Sequence, residues 1–182
     1  MSKKKLNIPK NKKVLLFILS HKYSSKRKGL KYVLEYLEKS NRDDLLLLTM
    51  NCKNIKIKNE RIQHININLA NSVQRRIDIY SASDIFLMPS LIESFGQTVL
   101  ESQSCDCPVV TFKNTGSEDL VNHKRTGYLS SYANQKDFNT GVEWLLNKSF
   151  PKNIIRNKVK EKYSYNEIAK QYKQKVFKQI KE

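Results

Sequence analysis

The chain has 182 residues with 34 Lys and Arg against 17 Asp and Glu, a formal net charge of +17. That length supports one domain with a real core or two very small ones, and no apolar run approaches the roughly 20 residues of a membrane helix. The charge looks like a nucleic-acid signature, but its distribution argues otherwise: residues 1–34 carry +11, residues 35–149 carry −1 and residues 150–182 carry +7.

The elements follow in chain order. Residues 3–13 are lysine-rich and read as an exposed linker, with 1–12 set apart from the domain that follows. Residues 14–19 (VLLFIL) form an apolar run too short for a signal-peptide core and suited to a strand. Residues 29–40 place Leu30, Val33, Leu34 and Leu37 at helical spacing. Residues 45–50 and 62–67 read as the second and third strands. Residues 72–81 read as a helix with Val73, Ile77 and Tyr80 on one face. Residues 85–88 are a fourth strand, 96–105 a helix and 109–112 a fifth strand. A helical turn at 119–122, a short strand at 127–129 and an amphipathic helix at 137–146 come next. Two helical stretches follow Pro151, the second opened by a capping box from Ser164 to Glu167. Strands separated by helix-length segments imply parallel crossovers. The expected fold is α/β, a Rossmann-like doubly wound parallel sheet with helices on both faces and C-terminal helices added. In such sheets ligands bind outside the carboxyl ends of the strands.

Several patterns concern chemistry. Glu93 and Glu101 bracket Ser94-Phe95-Gly96-Gln97-Thr98-Val99-Leu100. The first falls in a loop after a buried strand, and the second inside the helix that Gly96 opens. A helix N-terminus at that edge attracts phosphate, and carboxylates accept hydrogen bonds from sugar hydroxyls. By spacing alone a surface loop acid and an exposed helix acid is the better reading, since two acids eight apart are common; the acid and base of a hydrolase is another. The segment from Ser20 to Gly29, with Lys22, Arg27 and Lys28, is a basic loop leading into a helix; it suits a diphosphate or is simply solvated. Residues 114–119 either face a ligand or form an ordinary turn capped by Ser117. The histidines are scattered, and no Asp-x-Asp is present to hold a cation. Cys52, Cys105 and Cys107 lack zinc or redox spacing and read as core thiols of a reducing cytosol. The charged ends suit phosphate-bearing ligands, an acidic partner or an anionic membrane surface. Nucleic acid is not an expected partner, since the body is neutral and no binding motif is present.

Taken together, Ser83-Asp84-Ile85-Phe86-Leu87-Met88-Pro89-Ser90, the Glu93 to Glu101 block, Cys107-Pro108-Val109-Val110, Gly116, Gly127-Tyr128-Leu129 and an early Lys28-Gly29 resemble the donor-binding half of the family 4 retaining glycosyltransferases with the B-type fold. The similarity spans residues 13–181. It implies a nucleotide-diphosphate sugar as donor substrate, no cofactor and no metal. It implies that Glu93, the catalytic-site residue, binds donor hexose hydroxyls near the reacting carbon and that Glu101 holds the ribose. Ser94, Phe95, Gly96, Gln97 and Thr98 would line the donor, and Lys28 would neutralise the leaving diphosphate. Ser20-His21-Lys22 stands where the family usually has a phosphate-binding Arg, so either Lys22 or Arg27 substitutes or the contact is lost. Asp106 stands where it usually has Gly, and Gly116-Ser117 where a Gly-Gly pair is common. The family's first half, which supplies acceptor contacts, is expected to be absent from these 182 residues. The resemblance further implies cytoplasmic work, peripheral at the inner face of the membrane, on glycan or lipid-linked acceptors of cell-surface polysaccharide synthesis.

Overall fold

The computed structural model describes residues 2–19, 25–52, 55–68, 72–151 and 153–176. Six strands form one sheet: β1 (Lys13–Ile18), β2 (Leu45–Met50), β3 (Gln63–Ile67), β4 (Ile85–Met88), β5 (Val109–Phe112) and β6 (Gly127–Ser130). All neighbours are parallel and their order is β3-β2-β1-β4-β5-β6. The apolar runs dictate this. Every residue of β2, β4 and β5 is buried, as expected of central strands covered on both faces.

Helices α2 (Leu30–Lys39) and α5 (Gln135–Leu146) cover one face, where Tyr32, Val33, Phe138 and Val142 pack with Phe17 and Phe112. Helices α3 (Val73–Ala82) and α4 (Gln97–Ser104) cover the other, where Ile79, Tyr80 and Val99 pack with Leu16, Leu48 and Phe86. The α/β fold with both faces covered is the one expected. Chain order reverses between β1 and β4, so the helices that follow them, α2 and α4, lie on opposite faces of the sheet, the arrangement that opens a crevice at the strands' carboxyl ends.

The amino-terminal segment departs from the expected exposed linker. Ser2–Lys5 form a short helix, α1, packed against α3, and Ile8 is buried in the core on that face. Lys3 Nζ donates to Asp84 Oδ2 at 2.8 Å, and the same oxygen accepts the Val14 N–H at 2.8 Å. Lys5 pairs with Asp78 at 2.8 Å. Part of the basic end is therefore a docking device.

The helix face expected from Val73, Ile77 and Tyr80 is also rotated. Tyr80 is buried with Ile79 and Ala82, whereas Val73 and Ile77 are 60% and 41% exposed. Ile79, Tyr80 and Ala82, not the i, i+4, i+7 stripe, set the arc that meets the sheet.

Helices α6 (Ile154–Tyr163) and α7 (Tyr165–Lys175) close the chain. Ser164 makes no side-chain cap bond, so the expected capping box does not form; Glu167 instead accepts from Gln171 Nε2. Asp106 explains its own departure from glycine. It adopts a left-handed φ of 66°. Its carboxylate accepts the N–H groups of Asn153, Ile155 and Arg156 at 2.6, 3.1 and 3.2 Å. The aspartate accepts a strained backbone and caps α6.

Candidate donor-binding crevice

The crevice is assembled by two loops that zip together at the ends of β1 and β4. Leu91 donates its N–H to the Arg27 carbonyl at 2.8 Å. The Arg27 guanidinium reaches the Ile92 carbonyl at 3.4 Å. Gly29 begins α2 with φ 70°, and a methyl group on it would overlap the Pro89 carbonyl oxygen. That closeness requires glycine twice, for the left-handed backbone and for the approach. It brings Lys28 onto Glu93: Nζ and Oε2 are 2.8 Å apart, with the two side chains 16% and 15% exposed. At that burial the pair is well shielded from solvent screening, unlike a surface ion pair.

The loop after β5 holds Glu93 from the other side. Gly116 donates its N–H to the Glu93 carbonyl at 2.8 Å, and a side chain at 116 would overlap the Ser94 carbonyl. Gly116 thus shapes the Glu93 loop by close backbone contact. Ser117, where glycine is usual, is buried and does not cap the 3-10 turn Glu118–Leu120. Its Oγ instead bonds the hydroxyls of Thr111 and Thr115 at 2.8 and 2.7 Å, which ties this loop to β5.

Gly96 precedes α4 with φ 91°, and Gln97 and Thr98 open the helix. Their N–H groups have no preceding helical turn to bond and sit at the positive end of the helix dipole. Beneath them a cavity of about 120 Å³ is lined by Ile18, Arg27, Lys28, Met88, Ser90 and Thr98. Ser90 Oγ is fully buried and finds no hydrogen-bond partner among the described residues. The sequence reads Ser90 only as the end of the strand motif and gives it no role; its enclosure marks it. Ser94 and Phe95 lie exposed on the rim, Phe95 by 52%.

Glu101 stands apart, on the α3 side. Tyr80 Oη donates to its Oε2 at 2.9 Å. Burial first, and then the Glu101 charge, push the Tyr80 hydroxyl well above its ordinary pKa, so the phenol remains a donor throughout the physiological range. Glu101 lines a groove of about 400 Å³ with Val73, Ile77, Leu100 and Arg76. The exposed apolar residues of α3 thus form one wall of the groove that holds Glu101. Sequence reasoning missed Tyr80 as the partner because it lies 21 residues upstream on another helix.

Of the residues expected at the site, Arg27, Lys28 and Glu93 are brought together; Gly96, Gln97 and Thr98 follow at the same edge, and Glu101 faces the neighbouring groove. Ser20 and Lys22 lie outside the described residues. Asn66 is described, and its Oδ1 accepts from the Cys52 N–H and from Thr49 Oγ1 at 2.9 and 3.0 Å. Among the described residues no three His, Cys, Asp or Glu converge as a metal site, and no helix is long and apolar enough to cross a membrane. The cysteines are free. Burial pushes the Cys52 and Cys107 thiols up to about 11 and about 12, away from thiolate reactivity.

Residues 1–166 match the family model of the glycosyl transferases group 1. The chain belongs to this family. A capsular polysaccharide biosynthesis glycosyltransferase, CapM, of Staphylococcus aureus is 29% identical over 106 residues, 56% of this chain and 28% of the relative. A D-inositol 3-phosphate glycosyltransferase of Rhodococcus jostii is 35% identical over 72 residues, 40% of this chain and 16% of the relative. Among solved structures, sucrose-phosphate synthase from Thermosynechococcus elongatus superposes with a TM-score of 0.77 at 18% identity, covering 98% of this chain and 48% of that one. Anabaena HepE, solved with UDP and glucose, gives 0.71 at 15% identity over 93% of this chain and 49% of that one. These likenesses place the fold among glycosyltransferases. The chain spans about half the length of these solved proteins.

Proposed function

We propose that this glycosyltransferase chain is a donor-binding domain that holds a nucleotide-diphosphate sugar, from which a hexose passes to a glycan or lipid-linked acceptor of cell-surface polysaccharide synthesis. The observation that carries the reading is the Lys28–Glu93 pair. It sits at the sheet's switch point and at the same edge as the opening turn of α4. The diphosphate lies against Lys28 and the α4 N–H groups. The hexose hydroxyls reach Glu93, and the ribose hydroxyls reach Glu101. CapM, named for capsular polysaccharide biosynthesis, supports the acceptor class.

In the reaction, the bond from the anomeric carbon to the β-phosphate oxygen breaks and a bond to the acceptor oxygen forms on the same face. The acceptor proton passes to the departing phosphate, so configuration is retained. Charge grows on the diphosphate as it leaves, and Lys28 with the fixed N–H donors stabilises it where it develops; the reading requires no metal. Without donor, Lys28 and Glu93 satisfy each other. Donor binding therefore exchanges partners: the diphosphate takes Lys28, and Glu93 is released to the sugar. Since the chain spans about half the length of its solved relatives, the 182 residues alone are expected to bind donor and to transfer little or no sugar.

A thermal-shift screen of UDP-, GDP- and ADP-sugars tests the reading, since a ligand of the native state raises its melting temperature. One class of nucleotide sugar should raise it. No shift with any of them, or robust sugar transfer by the chain alone, contradicts the proposal.

A further inference from the structure

Two residues beyond β4, Ser90 turns its hydroxyl into the protein. The residue is 0% exposed, and its Oγ has no hydrogen-bond partner among the described residues. Buried hydroxyls are almost always bonded, so an orphan of this kind asks for a ligand atom. A second hydroxyl of the same cavity is also poorly served. Thr98 Oγ1 meets the Met88 sulfur at 3.6 Å, and a thioether is a weak acceptor. Two further lining residues, Arg27 and Lys28, are cations, and among the described residues no acid lines the cavity. Two cations and two hydroxyl donors around one space suit an acceptor-rich anion. Size narrows the choice. The volume of about 120 Å³ is roughly four times the ~30 Å³ share of one water. It is well below the ~300 Å³ at which pockets for whole ligands begin. The cavity therefore admits one small charged group, not a sugar ring or a nucleobase.

We propose, building on the donor-site reading above, that Ser90 is a further donor-binding residue: its hydroxyl donates to the phosphoryl group next to the hexose, which seats in this cavity between Lys28 and Thr98. The positions of the two carboxylates fix which phosphoryl that is. Lys28 is bonded to Glu93, the group assigned to the hexose, whereas Glu101, assigned to the ribose, faces the other groove. The phosphoryl at Lys28 is thus the second of the diphosphate, the one a nucleoside monophosphate lacks. Ser90 thereby favours diphosphate over monophosphate, and does so without a role in holding the unliganded fold together.

The test is calorimetric titration of the 182-residue chain, wild type and Ser90→Ala, with UDP, GDP and ADP and with UMP, GMP and AMP. Melting temperatures without nucleotide accompany it. The diphosphate that wild type binds should bind Ser90→Ala about tenfold more weakly, because a hydrogen bond to a charged acceptor is lost. The matching monophosphate should bind both proteins alike, and the unliganded melting temperature should not fall. Unchanged diphosphate affinity in the variant overturns the proposal. So does equal weakening of monophosphate and diphosphate, which places Ser90 away from the second phosphoryl. A lower unliganded melting temperature also overturns it, since the hydroxyl then serves the fold. Wild type that binds none of the three diphosphates sinks the donor-site reading itself and the Ser90 role with it. Intact wild-type binding with an indifferent Ser90→Ala sinks the Ser90 role alone.

Discussion

Glu93 and Glu101 are eight positions apart on one loop-helix segment, yet the fold sets them in opposite environments. Glu93 is paired to a cation, Lys28, which the proposed function assigns to a diphosphate. Glu101 is fixed by a neutral phenol, Tyr80, whose proton burial holds in place. An ion pair between two ligand-binding groups is an exchangeable contact: each partner must leave the other to meet a ligand. A carboxylate oriented by a buried hydroxyl is a preorganised acceptor that needs no such release. On the proposed reading, the first arrangement couples the diphosphate to the adjacent hexose, and the second anchors the ribose.

The most severe way to break this comparison is to open the crevice itself. Gly29→Ala forces a left-handed alanine onto the Pro89 carbonyl and should cost about 2–5 kcal/mol. A large drop in melting temperature checks it. Glu101→Ala should leave the fold in place and erase the donor-induced shift, because hydrogen bonds to a charged acceptor contribute about 1.5–3 kcal/mol each. A retained shift would remove the ribose assignment.

Glu93→Gln separates the two carboxylates by sign. With its competitor neutralised, Lys28 becomes free for phosphate, so the free nucleoside diphosphate should bind more tightly, by roughly fivefold. The extra affinity of the intact nucleotide sugar over that diphosphate should shrink. Calorimetry on both ligands reads this directly. Parallel weakening of both ligands would mean that Glu93 is not exchanging partners. Tyr80→Phe is gentler. It removes one oriented hydrogen bond, worth about 1 kcal/mol, and should weaken donor roughly fivefold. Smallest of all is Ser90→Ala. Removing a buried hydroxyl without a partner should leave melting temperature unchanged or slightly raised. A marked fall would show that the hydroxyl has a structural partner.

The fold was legible because its strands are unbroken apolar runs. LLLLTM of β2 can satisfy six buried positions only between two helical layers. The Glu93 to Glu101 block was legible because a strand, a glycine and a helix start follow each other locally. What escaped depends on distant partners. Lys3 and Lys5 read as solvated until Asp84 and Asp78, 81 and 73 residues on, meet them. Asp106 looked like a turn residue until α6 presented its N–H groups. Ser164 and Glu167 have capping-box spacing, but Glu167 bonds along its own helix instead. Val73 and Ile77 are apolar without being core, since they wall the groove at Glu101.

The central claim is that Lys28 and Glu93 exchange each other for the diphosphate and the hexose of one donor. The most direct measurement is calorimetric titration of wild type and Glu93→Gln with whichever nucleotide sugar raises the melting temperature, and with its free diphosphate. The account predicts that the variant gains affinity for the diphosphate while losing the sugar's added contribution. Unchanged diphosphate affinity in the variant, with the wild type binding both ligands, would contradict it.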